Sequence, residues 1–355
     1  MKTFSCQCEA RIFFRNSRCL ACQRELGFLP DRGIQSALEP DAKAEGVFTA
    51  LAAQGARYRK CENYAVHDAC NWMIPTSSAT EGERFCRSCR LNRVIPSLDS
   101  ADQRKLWQRI ELAKRHLVYT LLALRLPLDS KVDDPAGGLA FDFLAPTPEK
   151  PVLTGHAAGV ITLNVNEADP VAREEMRVKM GERIRTLLGH FRHEVGHYYF
   201  GSLVAGSSRI DEFRELFGDE RANYAEALER HYASSPPQDW AERFISSYAA
   251  AHPFEDWAET WAHYLHMRDT LETAQNFGLA PEPARFSRVD LAGFHALLGD
   301  FMELTVALNA LNRSMGLPDP YPFQIASLPA KKLGFVHEVV TQRKAPAKKR
   351  IARAS

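Results

Sequence analysis

No cysteine occurs after residue 89 of this 355-residue chain, and no uncharged run reaches the roughly 18 residues needed to span a bilayer. The start, MKTFSCQCEA, has a lysine but no apolar run behind it, so it does not read as a secretory signal. Net charge is scarce as well. Forty-five basic side chains against 44 acidic ones leave +1, which gives no global pull towards nucleic acid or an acidic membrane. These absences imply a cytoplasmic chain with no membrane partner, in which eight cysteines serve better as metal ligands than as disulfides. Charge is nevertheless uneven at one end: KAPAKKRIARAS, residues 344–355, holds five basic residues and no acid. Such a stretch reads as a solvated basic tail, with weak nucleic-acid contact as the sharper alternative.

What the chain does have is divided between two halves. The cysteines form two sets, Cys6, Cys8, Cys19 and Cys22, then Cys61, Cys70, Cys86 and Cys89. Thiolates paired closely and repeated after a modest loop suit tetrahedral zinc, so each set is expected to hold one structural Zn2+. Such ions staple modules too small to bury enough apolar surface, which makes residues 1–98 a zinc-ribbon region. His67 could replace a cysteine in the second set, but four thiols are already there. Ribbons hold protein partners and nucleic acid about equally readily, and both stay open.

Beyond the ribbons, Ser100 and Gln103 make a capping box, and Leu106, Ile110, Leu117, Leu121 and Leu124 recur at helical spacing as far as Pro127. LAFDFL predicts a short strand, and VLTGHAAGVITLNVN a hairpin whose second arm alternates apolar and polar residues. Asp169-Pro170 opens a charged helix, and after residue 210 the pattern is nearly all helical. The expected fold is α+β: a mostly helical domain at 99–343 with a small sheet, preceded by the ribbons.

Residues 190–200, HFRHEVGHYYF, contain HExxH, which places His193 and His197 on one helical face where both can grip one ion. Glu194 between them is the expected general base. No third histidine follows in the HExxHxxGxxH pattern, which excludes the metzincin arrangement. HPFEDWAETWAHYLH offers a carboxylate instead, with Glu255 as third ligand and Glu259 accepting from the outer N–H of a ligand imidazole; the two roles could be exchanged. The bland reading of these acids is a solvated first turn complementing the helix dipole. His190, one turn before His193, could approach the metal but reads rather as capping a core contact or facing solvent, and His263 and His266 as packing or hydrogen-bonding residues. Tyr248 is the first candidate for the oxyanion donor, with Tyr264 and His252 behind it. The strand at Gly159–Val165 is expected to accept an extended peptide as an added strand, which makes peptide the substrate class.

Together CQC with FFRNSRCLACQRELGF, TGHAAGVITLNVNEAD, LLGHFRHEVGHYYF, PFEDWAETWAHYLH and DPYPF resemble a family of zinc-binding metallopeptidases that carry an N-terminal zinc-ribbon region. The resemblance runs from residue 4 to about residue 340. It implies a gluzincin-like (zincin) peptidase fold, one zinc at the HExxH helix and a glutamate ligand from the EDWAET helix, without naming a substrate. The function expected is zinc-dependent peptide hydrolysis by activated water, with one catalytic and two structural Zn2+. The alternative is a binding protein, in which the ribbons recognise a protein or nucleic acid and the peptidase fold is a scaffold. In that alternative Glu194 has no reason to sit between the two histidines.

Overall fold

In the N-terminal half, short apolar runs separated by turn residues make strands. The computed structural model describes residues 2–77, 82–147, 149–234, 236–280 and 290–342; the basic tail expected at 344–355 and the residues around Pro281 and Pro283 lie outside them. A hairpin of β1 (Thr3–Ser5) and β2 (Arg11–Phe13) precedes a five-stranded antiparallel meander of β3 (Leu26–Leu29), β4 (Ile34–Pro40), β5 (Val47–Ala50), β6 (Ala56–Lys60) and β7 (Met73–Pro75). Between β5 and β6 the chain reverses through Gln54 and Gly55, with φ of 53° and 76°. The connection at residues 51–55 starts with a single 3-10 turn and ends on these two left-handed residues, a conformation Gly55 adopts without a Cβ clash. The cysteines sit in the loops of this region, and the short α1 (Glu62–Ala65) lies between Cys61 and Cys70.

The second half is helical around a four-stranded sheet, so the fold is α+β as expected. Its sheet has the order β10 (Gly155–Ala157), β11 (Val160–Asn164), β9 (Ala140–Leu144), β8 (Asn92–Val94). β11 is antiparallel to β10 and parallel to β9. The strand expected to accept a peptide is therefore internal, bonded on both sides, and the edges of the sheet are β10 and β8. α2 (Ala101–Ala123) starts where Ser100 Oγ accepts from Gln103 N at 3.5 Å. After it come α3 (Pro170–Lys179), α4 (Leu187–Tyr199), α5 (Ile210–Phe217), α6 (Tyr224–Ala233), α7 (Trp240–Arg243), α8 (Pro253–Asn276), α9 (Leu291–Ser314) and α10 (Ser327–Thr341). By length and composition alone α9 is long and apolar enough to cross a membrane. Asp300 and Glu303 interrupt it, and it buries Phe294, Leu297, Leu298, Phe301 and Thr305 against the rest of the chain.

One hydrophobic core runs through both halves. Phe14 and Phe28, from the ribbon region, stand 5.3 and 5.9 Å from the ring of Tyr119 on α2, and the Trp72 ring lies tilted 4.9 Å from Phe28. Arg115 on α2 donates to the Ala69 carbonyl, and Gln108 to the His67 carbonyl at 2.9 Å. The other side of α2 packs on α4. A buried ion group, Arg192 and Arg268 on Asp269 with Thr120 donating to the same carboxylate, ties α2, α4 and α8 together. These contacts fix α4 and α8 side by side, and the HExxH residues lie on α4.

Candidate metal centre

Thr186 ends the approach to α4, its Oγ1 accepting from Gly189 N at 2.9 Å. That cap sets the helical phase, so His190, His193, Glu194 and His197 share one face. α8 starts at Pro253, with His252 Nδ1 accepting from Phe254 N at 3.0 Å, which puts Glu255 in the first turn and Glu259 one turn later. The two helices approach closely because residue 196 is glycine. A Cβ there would stand 3.0 Å from Ala258 Cα and 3.2 Å from Trp261 Cβ, tighter than ordinary packing allows. Trp257 Nε1 uses the proximity to donate to the Gly196 carbonyl at 2.8 Å.

This packing brings His193, His197 and Glu255 together. The two Nε2 atoms are 3.2 Å apart, and Glu255 Oε2 stands 3.0 Å from the first and 3.7 Å from the second. Ligands bound at about 2.0–2.1 Å to one tetrahedral ion stand about 3.3–3.4 Å from each other, and the three separations bracket that value. Glu255 Oε2 is buried and faces the two imidazole nitrogens, a place that a cation would fill. The donor set of two imidazoles and a carboxylate suits zinc. Glu255 Oε1 accepts from Tyr224 Oη at 2.6 Å. Glu259 stands at the outer nitrogen of His193, Nδ1 to Oε1 being 2.7 Å, and its Oε2 accepts from Ser246 Oγ at 2.7 Å. Of the two glutamates, Glu255 stands with the imidazole Nε2 atoms and Glu259 at the outer nitrogen of His193.

Electrostatics sort the same groups. Burial alone would keep His193 neutral, but hydrogen bonds to Glu255 and Glu259 outweigh it and raise its pKa well above the usual imidazole range. At His197 burial and the neighbouring His193 prevail and lower the pKa to about 4. Burial would favour protonated Glu255 and Glu259, yet the bonds to His193 hold each at about 2. The centre thus pairs two ionised carboxylates with the His193 ring and leaves His197 a neutral imidazole.

Glu194 is buried on the same face, its Oε1 3.2 Å from His190 Nε2. His190 Nδ1 is in turn 2.5 Å from Glu167 Oε2. His190 therefore neither faces solvent nor caps an apolar contact; its ring joins two acids. Tyr248 lies against His193, ring centroids 6.0 Å apart. The two reserve candidates are committed elsewhere, Tyr264 Oη at 3.1 Å from His337 Nδ1 and His252 Nε2 at 3.1 Å from the Ala222 carbonyl. His263 Nδ1 pairs with Tyr321 Oη at 2.8 Å. The sequence reading missed Tyr224, Ser246 and Glu167, and also His156. The His156 ring, on the edge strand β10, stacks 6.3 Å from His197. Only His156 and Glu167 left a trace, both within the TGHAAGVITLNVNEAD stretch.

Each cysteine set is gathered as well, its four Sγ atoms all within 4.8 Å of one another. Cys6 to Cys22, Cys8 to Cys19 and Cys70 to Cys86 are each 3.7 Å apart. Sulfurs bound at 2.3 Å to a tetrahedral zinc stand about 3.8 Å apart, whereas a disulfide needs about 2.05 Å. All eight cysteines are free and spaced for metal. His67 takes no part: its ring stands 5.7 Å from Trp107.

Residues 103–339 match a family described as "Putative zinc-binding metallo-peptidase", and residues 3–100 match a zinc-ribbon domain. Uncharacterised proteins of Mycobacterium bovis and of two Mycobacterium tuberculosis strains are 43% identical to the chain over 346 residues, covering 96% of it and 96% of each relative. No solved structure matches.

Proposed function

We propose that this chain, which belongs to the zinc-binding metallo-peptidase family just described, hydrolyses peptide bonds at the His193, His197 and Glu255 centre in the gluzincin manner. The observation that carries the reading is the position of Glu194: a buried, ionised carboxylate between the two imidazoles, on the face they share. Zinc held by the three ligands supplies a Lewis acid that acidifies water and polarises the scissile carbonyl. Glu194 accepts the proton of the attacking water and returns it to the departing amine. Glu259 fixes the ring of His193, and Tyr224 holds the outer oxygen of Glu255 so that Oε2 faces the imidazoles. Tyr248, beside His193, is the donor to the developing oxyanion. An extended substrate adds to the free edge of β10, where His156 flanks His197.

The remaining zincs, one in each cysteine set, are structural, which makes three per chain. The protein works in the cytoplasm on peptides or unfolded proteins, and its ribbons engage a protein or nucleic-acid partner. A scaffold without catalysis leaves the buried Glu194 unexplained. The test is Glu194→Gln. It is expected to keep three zincs and the wild-type melting temperature while chelator-sensitive cleavage of a peptide library falls by roughly 10²–10⁴-fold. Undiminished hydrolysis overturns the reading.

A further inference from the structure

Resting on that reading, we propose that His190 is the positioning residue of the site: locked by Glu167, it holds the Glu194 carboxylate in the orientation that proton transfer requires. His190 lies one turn before Glu194 on α4, so the two side chains meet on one face. A carboxylate only accepts hydrogen bonds. The contacts of 2.5 Å from Nδ1 to Glu167 and 3.2 Å from Nε2 to Glu194 therefore each take an N–H of the ring, which is fixed at both ends.

Glu167 is itself anchored. It sits on the single turn Val165–Ala168 that leaves β11, its Oε1 accepting from Thr154 Oγ1 at 2.5 Å and its Oε2 standing 3.4 Å from Arg185. Arg173 donates to the Glu167 carbonyl at 2.7 Å. A line of polar contacts thus runs from the central sheet through His190 to one oxygen of the proposed base. Because Oε1 is engaged, proton exchange falls to Oε2. A carboxylate as buried as Glu194 would otherwise rotate about its last torsion, which is broad for a glutamate. His190 does not belong to the ligand trio, and its ring centroid is 6.4 Å from that of His193, so its removal is expected to leave zinc binding intact.

The experiment uses the full zinc-loaded chain with a peptide that it cleaves. His190→Ala is expected to lower kcat by roughly 10–100-fold with KM within about twofold and zinc content unchanged. His190→Gln, whose amide N–H can stand in for the Nε2 donor, should recover most of that loss, and Glu167→Ala should fall between the two. A second readout needs no turnover. A peptide hydroxamate gives up its proton to the same base when it binds, so its affinity, by calorimetry, should weaken in His190→Ala and return in His190→Gln. If Glu194→Gln is inactive while His190→Ala keeps wild-type kcat and hydroxamate affinity, the positioning role is overturned and the peptidase reading stands. If His190→Ala and Glu167→Ala lose zinc in proportion to kcat, the role is structural and the proposal also fails. A wild-type chain that cleaves no peptide overturns both.

Discussion

Cys61, Cys70, Cys86 and Cys89 are all buried, whereas in the other set Cys8 is exposed and Cys22 half-buried. The first quartet belongs to the main core, beside Trp72, Trp107 and Leu91, and Cys89 Sγ stands 3.7 Å from Glu111 Oε2 on α2. Glu111 is held by Lys114 Nζ at 2.9 Å and Asn92 Nδ2 at 2.7 Å. The second quartet closes only a small separate cluster of Ile12, Leu26 and Ala37. The same four sulfurs at the same spacing thus act as a keystone where the core surrounds them and as a local staple where it does not.

The largest expected effect comes from breaking the keystone. Structural zinc contributes an apparent binding energy of roughly 10–16 kcal/mol, as large as the roughly 5–15 kcal/mol by which folded domains are stable. Cys86→Ser should therefore abolish the cooperative melt of the whole chain in circular dichroism, including that of the helices around His193. A melting temperature within a few degrees of wild type would erase the contrast between the quartets. Cys8→Ser should remove one zinc and the hydrogen-exchange protection of residues 2–25, yet leave the main melt within about 2 kcal/mol and peptide cleavage intact. Global unfolding by this variant would show the outer quartet to be a keystone too. Smallest of all is Leu20→Ser. Leu20 is 85% exposed between Cys19 and Cys22, so a change within about 0.5 kcal/mol and full zinc occupancy are expected.

The helical half was legible because its signals are local. The Ser100 cap, Asp169-Pro170 and the i,i+4 spacing of His193 and His197 are written within a few residues of what they control. The meander of the first half was not read, since LGFL of β3 is buried at every position and shows no alternation to mark a strand. Alternation along β11 told which side chains face inward, not which strands lie beside it, and so the internal strand was taken for an edge. Tyr224 and Glu255 are 31 residues apart, and Glu167 and His190 23 apart. Pairings of that kind exist only once the helices have packed, and nothing in their local sequence announces them.

The sharing of α2 between the ribbons and the helical half has a consequence for synthesis. Phe14 and Phe28 find Tyr119 only after the ribosome has extruded the helix that carries it. At roughly 5–20 residues per second, a nascent chain at residue 98 waits on the order of seconds before its aromatic face is covered. During that interval the inner thiols lack their roof, and zinc capture there must compete with oxidation and with association of the uncovered sheet. Severing the polypeptide just before α2 would make that interval permanent.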